Sequence, residues 1–212
     1  MKNLLIIIIC LVNIKINAQE IIKNNLYEVV YSEEYQQPLS IKYTLPCNLE
    51  QFKKESKRIP FHLPNNISTS DNYDYEGTVY DKAHLAPVNA FKCVEDNLSL
   101  YSYLNCCLMH LTLNRGIWSS LEEYEYLLAK DNANCEVKIS ITLIFNDINN
   151  KVDGGATIPS HFLKVIDVVN QLENSERYVY IFPNDESVKG KNINDFKVRG
   201  LCKAYKTSTE EK

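Results

Sequence analysis

Two short segments of the chain bring together residue types that can do chemistry. The first, residues 80–87, contains Asp81, Lys82 and His84, which put a carboxylate, a fixed cation and a titratable imidazole within four residues. A histidine with a pKa near 6.5 suits a general base at neutral pH, and a cation beside it could neutralise a phosphate. We expect a compact charged turn here, because Pro87 prevents a helix from starting. A motif this short is, by itself, more typical of an ordinary surface turn.

The second segment, residues 105–122, could supply a metal site. The amide oxygen of Asn114 is a hard ligand of the kind that Mg²⁺ accepts together with retained waters. Glu122 follows eight residues later, which on a helix is about 12 Å along the axis, and it could orient metal-bound water. Taken alone, the segment is better explained by Asn114 as a helix cap and Glu122 as a solvated surface residue.

The surrounding sequence predicts the elements that must position these residues. Apolar residues at helical spacing indicate a helix over residues 114–130, and a polar, tyrosine-rich stretch at 62–80 predicts a long surface loop. Strands are predicted at residues 27–31, 40–44, 136–145 and 178–182. Because strands and helices do not alternate regularly as in βαβ units, these elements indicate an α+β fold with an antiparallel sheet.

The composition fits one acidic globular domain. Of the 212 residues, 45% are apolar and 24% are charged, so the chain can bury a core and is not disordered throughout. Its formal charge of −4 excludes non-specific coating of nucleic acid through bulk electrostatics. A polyanionic substrate would therefore require a local basic site or a metal ion.

Residues 1–18 are interpreted as a cleaved signal peptide rather than as an N-terminal anchor. Lys2 precedes an apolar run that is too short to span a bilayer comfortably, and residues 16–18 resemble a cleavage site. We therefore expect a secreted or periplasmic protein that contacts no membrane after cleavage. A single domain is expected over residues 19–206, followed by a polar tail over residues 207–212.

Export favours disulfide bonds. Cys106 and Cys107 would then bond to two different partners. A structural zinc site is the alternative, but the sequence contains no C-x-x-C pair and no Cys/His cluster at ligand spacing. The cysteines that follow the signal peptide, which allow fifteen pairings, are Cys47, Cys93, Cys106, Cys107, Cys135 and Cys202.

Together the two segments resemble the DNA/RNA non-specific endonucleases of the ββα-metal class. That family carries an Asp-Arg-Gly-His turn followed by Leu-Ala-Pro, then an Asn, then Leu-Asn-x-Gly-x-Trp and Leu-Glu. The resemblance covers about residues 25–200 and implies a central antiparallel sheet flanked by helices. The corresponding stretches of this chain are residues 81–87, Asn105, residues 113–122, 158–165 and 181–184.

The resemblance implies an endonuclease that hydrolyses phosphodiester bonds of DNA and RNA with a single divalent ion, Mg²⁺ or Mn²⁺. It assigns His84 as the general base that takes a proton from the attacking water. It assigns Asn114 as the one protein ligand of the ion, and Glu122 as the carboxylate that orders the ion's water shell. Contacts to backbone phosphates, which carry no sequence information, are consistent with action on both nucleic acids.

The same resemblance assigns three further residues. Asn105 matches a supporting residue of the site. Lys82 stands in the place of the family's arginine, which stabilises the pentacoordinate phosphorane, and Arg58 matches a second phosphate-binding arginine upstream. DNA and RNA are the implied substrates, and an inhibitor protein is a candidate partner.

The chain departs from the family pattern at residues that bear on its activity. Lys82 replaces an arginine and lacks its planar bidentate fork. Ala83 replaces a glycine, which is compatible only if this position does not require a positive φ. Leu108 and Met109 replace the family's Pro-Gln pair. The alternative function is therefore a catalytically weakened member that serves as a nucleic-acid-binding or protein-interaction module.

Overall fold

The fold is built on two separate antiparallel β-structures. The computed structural model describes residues 19–45, 59–91, 94, 96–132, 134–170 and 175–198. Within these residues, six strands form one sheet in the order β1-β2-β3-β6-β7-β8, and β4 and β5 pair with each other as a ribbon. The strands are β1 (Glu20–Lys23), β2 (Tyr27–Ser32), β3 (Gln37–Thr44), β4 (Tyr80–His84), β5 (Cys106–His110), β6 (Cys135–Ile144), β7 (His161–Asn170) and β8 (Ser175–Pro183).

The six-stranded sheet buries one face and leaves the other to solvent. In β6, Val137, Ile139, Ile141 and Leu143 are buried, whereas the residues between them are exposed or half-buried. This alternation follows from the two-residue repeat of a strand and places the apolar set on one side. The strands predicted at residues 27–31, 40–44, 136–145 and 178–182 are confirmed, as is the antiparallel arrangement.

The ribbon of β4 and β5 carries the first chemical motif. Residues 80–84 were expected to form a compact charged turn, and this prediction is wrong, because they form a strand that pairs with Cys106–His110. The pairing is stabilised by burial of β5, in which four consecutive residues from Cys106 to Met109 are inaccessible to solvent. Ala83 lies opposite Cys107 and is buried with it in the main core.

The outer edge of β5 is closed by two buried amide side chains rather than by another strand. The Oε1 atom of Gln37 accepts a hydrogen bond from the Leu108 amide at 3.1 Å. Asn184 donates to the Leu108 carbonyl at 3.0 Å and to the Pro159 carbonyl at 2.8 Å, and it accepts from the His110 amide at 2.7 Å. These contacts satisfy backbone groups that an edge strand would otherwise leave unpaired, and they fix the ribbon to the sheet.

A helical segment follows β5 directly and packs on the buried face of the sheet. It begins as one turn, α1 (Leu111–Leu113), passes through a π-helical segment at Asn114–Trp118, and continues as α2 (Ser119–Asp131). Gly116 has non-helical backbone angles and marks the kink. The predicted helix over residues 114–130 is therefore confirmed, except that its first turn is π-helical. In the described part of the chain α2 is the long helix, and the helical pieces outside this segment are short 3₁₀ turns.

A buried ion pair joins α2 to the sheet. Lys164, on the buried face of β7, lies 2.5 Å from the Glu125 carboxylate, and both side chains are essentially inaccessible. The Lys164 ammonium also lies 4.3 Å from the centre of the Trp118 ring, and Tyr43 donates a hydrogen bond to Glu125 at 3.3 Å. Breaking such a pair leaves an uncompensated buried charge, so these residues strongly constrain how α2 sits.

The described cysteines form no disulfide bonds. Cys106, Cys107 and Cys135 are free thiols, and the first two are fully buried. The expectation that Cys106 and Cys107 bond to two different partners is therefore wrong. Burial in β5 between apolar neighbours explains the presence of both residues, because a free cysteine packs as a small hydrophobic side chain. Cys47, Cys93 and Cys202 lie outside the described residues.

The predicted signal peptide at residues 1–18 and the polar tail at 207–212 also lie outside the described residues. Among the helices that the structure describes, none has the length and apolar character needed to cross a bilayer.

We predict that Asn184→Ala destabilises the fold by at least about 2 kcal/mol, because it leaves several buried backbone groups of β5 without partners. Chemical denaturation of the purified protein measures the loss. Asn149→Ala, in an exposed turn, is the matched control and should change stability by less than about 0.5 kcal/mol. Equal stability of the two variants would show that the ribbon does not depend on this amide.

Candidate active site

Most of the predicted site residues line one cavity. It has a volume of about 660 Å³ and lies where the ribbon meets the start of the helical segment. Four of the predicted site residues reach its wall, namely Lys82, His84, Asn114 and Glu122. Asp81 and Arg115, to which the sequence analysis gave no role, line the same cavity.

His84 occupies an apolar, desolvated position at the end of β4. Its ring lies 4.5 Å from the Phe61 ring and 5.6 Å from the Tyr101 ring, measured between centroids. Burial lowers the pKa of His84 to about 4, because the imidazolium loses hydration that no nearby carboxylate replaces. The ordinary pKa near 6.5 that is expected from the sequence is therefore wrong, because burial lowers it. His84 Nε2 is buried and has no hydrogen-bond partner among the described residues.

Asp81 holds the two residues that begin the π-helical segment. Its Oδ2 atom accepts a hydrogen bond from the Asn114 side-chain amide at 2.9 Å. Arg115 donates to both Asp81 oxygens, at 2.8 Å and 2.6 Å. The Arg115 guanidinium and the Asn114 amide lower the pKa of Asp81, so the carboxylate stays ionised.

The hydrogen bond from Asn114 determines which way its amide points. Because the NH₂ group donates to Asp81, the amide oxygen is on the other side, and no hydrogen bond within the described residues engages it. A hard oxygen on a cavity wall is the donor that Mg²⁺ accepts in a site where water supplies most ligands. The described residues contain no group of three or more His, Cys, Asp or Glu side chains placed to hold a metal.

Lys82 is oriented by the loop that precedes the ribbon. Its ammonium donates a hydrogen bond to the Asn72 side-chain oxygen and lies 5.8 Å from the centre of the Tyr75 ring. The Tyr103 hydroxyl donates to the same Asn72 oxygen at 2.8 Å. The stretch at residues 62–80 was predicted to be a long surface loop. It contains no helix or strand before β4 begins at Tyr80, and it helps to position this cation through Asn72 and Tyr75.

Glu122 reaches the cavity from the first turn of α2. Burial is the main cause that raises its pKa to about 7, and the Glu125 carboxylate adds to the effect while Lys164 opposes it. The side chain also lines a second cavity of about 310 Å³ that opens next to the first. A carboxylate at this position can accept hydrogen bonds from water or from hydroxyl groups in the larger cavity.

Asn105 supports the site from within the core. It is fully buried, and its amide nitrogen donates to the Ala86 and Leu100 carbonyls, both at 2.9 Å. Its oxygen accepts from the Ala86 amide at 2.7 Å. These contacts hold the chain that leaves His84, so Asn105 positions the site without lining the cavity. Arg58 lies outside the described residues.

Some residues of the site have roles that depend on folding and could not be identified from the sequence. Phe61 and Tyr101 enclose His84, but they come from distant loops and no spacing rule connects them to it. Arg115 had a local signal, since it directly follows the proposed metal ligand Asn114. Its pairing with Asp81, 34 positions away, becomes visible only once β4 lies beside the helical segment.

Comparison with known proteins agrees with the architecture. The chain matches the DNA/RNA non-specific endonuclease family over residues 9–206. Its structure is similar to a chain of the EndoG/EndoGI complex, a crystal structure that concerns the mechanism of EndoG inhibition, with a TM-score of 0.72 and 19% sequence identity. The likeness covers 85% of this chain and 80% of that chain. No curated protein sequence matches this chain. The chain therefore belongs to the DNA/RNA non-specific endonuclease family, and it has the α+β architecture of the ββα-metal nucleases.

Proposed function

We propose that this protein is a metal-dependent endonuclease that hydrolyses the phosphodiester bonds of DNA and RNA. The observation that carries the proposal is the single cavity in which His84, Lys82, Asn114 and Glu122 meet. A neutral imidazole, a fixed cation, a hard oxygen and a carboxylate are the groups that hydrolysis of a phosphodiester requires. Membership of the endonuclease family supports the same reaction class.

His84 acts as the general base in this proposal. Its apolar surroundings keep the imidazole neutral at physiological pH, so one ring nitrogen can accept a proton from a water molecule. The Nδ1 atom is the candidate acceptor, since Nε2 is buried away from water. Phe61 and Tyr101 limit the motion of the ring, which favours a productive geometry without adding charge.

Asn114 and Glu122 are the residues that would hold a divalent ion, Mg²⁺ or Mn²⁺. Asn114 offers its amide oxygen directly, and Asp81 prevents the amide from turning its NH₂ group toward the ion. Glu122 would accept hydrogen bonds from water around the ion when its carboxylate is ionised. When bound there, the ion would neutralise charge that develops on the phosphate and on the leaving oxygen.

Lys82 supplies positive charge beside the general base. The hydrogen bond to Asn72 keeps the ammonium on the cavity wall, where it can contact a phosphate oxygen. Contacts of this kind address the backbone and not the base or the sugar, which supports action on both DNA and RNA.

Of the departures from the family pattern, all except Lys82 are apolar residues that are buried in the ribbon of β4 and β5. Ala83 is a strand residue without a positive φ, so the change from glycine is sterically compatible. Leu108 and Met109 are fully buried on opposite faces of β5 and pack in two different apolar clusters. A non-catalytic nucleic-acid-binding or protein-interaction module remains the alternative that the experiment below separates.

Export and the protein's partners are part of the same proposal. The apolar segment that follows Lys2 supports a signal peptide and a secreted or periplasmic location. Nucleic acid is the expected substrate. A protein inhibitor is a further candidate partner, because EndoG, which has a similar fold, was crystallised with EndoGI.

The proposed function is tested by incubating the purified protein with supercoiled plasmid and with a structured RNA. We expect nicking of both substrates, loss of nicking in EDTA, and recovery when Mg²⁺ is restored. His84→Ala should lower turnover by about 10²- to 10⁴-fold, as expected for loss of a positioned base. Asn114→Ala should lose most activity at limiting Mg²⁺. A protein that retards plasmid without nicking it would support the binding module, and one that does neither would support the interaction module.

The burial of His84 predicts an unusual titration. In the metal-free protein, the imidazole NMR signals of His84 should titrate near pH 4 rather than near 6.5. Because the folded pKa lies below the unfolded one, His84 contributes stability above pH 6.5 that is lost as the pH falls toward 4. The parent should therefore lose stability over this range relative to His84→Gln, as measured by denaturation at each pH. A titration midpoint near 6.5 would show that the ring is solvated.

Substitution of Lys82 tests its part in the reaction. An ammonium keeps the charge of the family's arginine but lacks the second parallel hydrogen bond, so Lys82→Arg should raise turnover by about tenfold, with little change in KM. Lys82→Ala should lower turnover below that of the parent. Single-turnover cleavage of a short duplex compares the three proteins. If the Ala variant matches the parent, Lys82 has no catalytic role, and if the Arg variant is slower, Asn72 and Tyr75 have adapted the site to the shorter cation.

A further inference from the structure

Arg115 is a second cation on the cavity wall. It directly follows Asn114, and its side chain is 68% exposed despite its ion pair with Asp81. An exposed ion pair contributes little to stability, so stability alone is a weak reason for this arrangement. The position of the pair within the cavity calls for a different explanation.

The geometry of the pair leaves part of the guanidinium available. Arg115 uses its Nε atom and one terminal nitrogen to contact the two oxygens of Asp81. A guanidinium has five N–H donors, and the bidentate contact uses two of them. The end-on edge, formed by one N–H from each terminal nitrogen, makes no hydrogen bond with any residue that the structure describes. That edge is the one that binds a phosphate through two parallel hydrogen bonds.

We propose that Arg115 binds a backbone phosphate of the nucleic-acid substrate and supplies the planar fork that Lys82 lacks. The proposal rests on the proposed function, because it takes the cavity to be the site where nucleic acid binds. Lys82 provides a point charge from β4, and Arg115 provides a directed bidentate contact from the start of the helical segment.

Asp81 has two opposite effects on the binding of a phosphate by Arg115. Its bidentate contact fixes the plane of the guanidinium, so that less side-chain entropy is lost when a phosphate binds. Its negative charge also offsets that of Arg115, which weakens long-range attraction for an anion. Arg115 should therefore contribute to the affinity for nucleic acid and to the number of counterions released on binding, and should contribute less to the association rate.

The chain offers a closely matched control. Arg177, on β8, makes the same bidentate contact with Asp167 on β7, at 2.6 Å and 2.9 Å. Both residues of that pair are outside the residues that line the cavity. Arg177→Gln therefore removes one positive charge and one bidentate ion pair from the protein, as Arg115→Gln does, without changing the site.

The test measures binding of a short fluorescently labelled DNA duplex by anisotropy, in EDTA so that no cleavage occurs, over a series of salt concentrations. For Arg115→Gln we expect weaker binding and a plot of log K against log [salt] that is shallower by about 0.9, the value for one lost phosphate contact. Arg115→Lys should keep the slope of the parent and lose about tenfold in affinity, because it retains charge without the fork. Arg177→Gln should match the parent in both quantities.

The outcomes separate this inference from the proposed function. If Arg115→Gln has the slope and affinity of Arg177→Gln, Arg115 contacts no phosphate and the inference fails, even where the parent cleaves plasmid through His84. If Arg115→Gln loses the contact while His84→Ala still cleaves normally, the phosphate site stands and the proposed catalytic mechanism fails. If the parent binds no duplex at any salt concentration, the inference fails, and plasmid cleavage in Mg²⁺ decides the proposed function separately.

Discussion

The candidate site depends on holding a two-stranded ribbon against a sheet with which it shares no strand pairing. Isolated ribbons are marginally stable, and the outer edge of β5 would leave backbone groups unpaired in the core. Gln37 and Asn184 remove this cost by hydrogen bonding to Leu108 and His110 from the sheet side. Because β5 is the one strand with which β4 pairs in the described part of the chain, the placement of Lys82 and His84 depends on these two amides.

Charged contacts then connect the ribbon, the helical segment and the sheet. Asp81 connects β4 to Asn114 and Arg115, so the proposed metal ligand and the second cation are held to the strand that carries the proposed general base. At the other end, Lys164 and Glu125 fix α2 to β7 through a buried pair. Glu122 lies one turn before Glu125 on α2. The ion pair between Lys164 and Glu125 therefore determines how far Glu122 lies from the ribbon, although neither residue of the pair lines the larger cavity.

The sequence was sufficient for the elements that have strong local signals. Strict alternation in residues 136–145 predicted β6, and helical spacing of apolar residues predicted α2. It failed for β4, because Tyr-Asp-Lys-Ala-His contains few β-formers and becomes a strand only by pairing with buried β5. The pKa of His84 could not be predicted either, since the two rings that desolvate it come from loops distant in sequence.

The departures from the family pattern differ in what they can affect. Ala83, Leu108 and Met109 are buried in the ribbon and its two apolar clusters, so they alter packing and not the chemical groups of the cavity. Lys82 is the one departure that changes a polar group of the cavity, because it replaces the bidentate guanidinium of arginine with the point charge of an ammonium. A guanidinium is nonetheless present on the same wall, held in a fixed plane by Asp81. The cavity therefore contains both an ammonium point charge and a guanidinium with directed donors, although the guanidinium comes from the helical segment and not from β4.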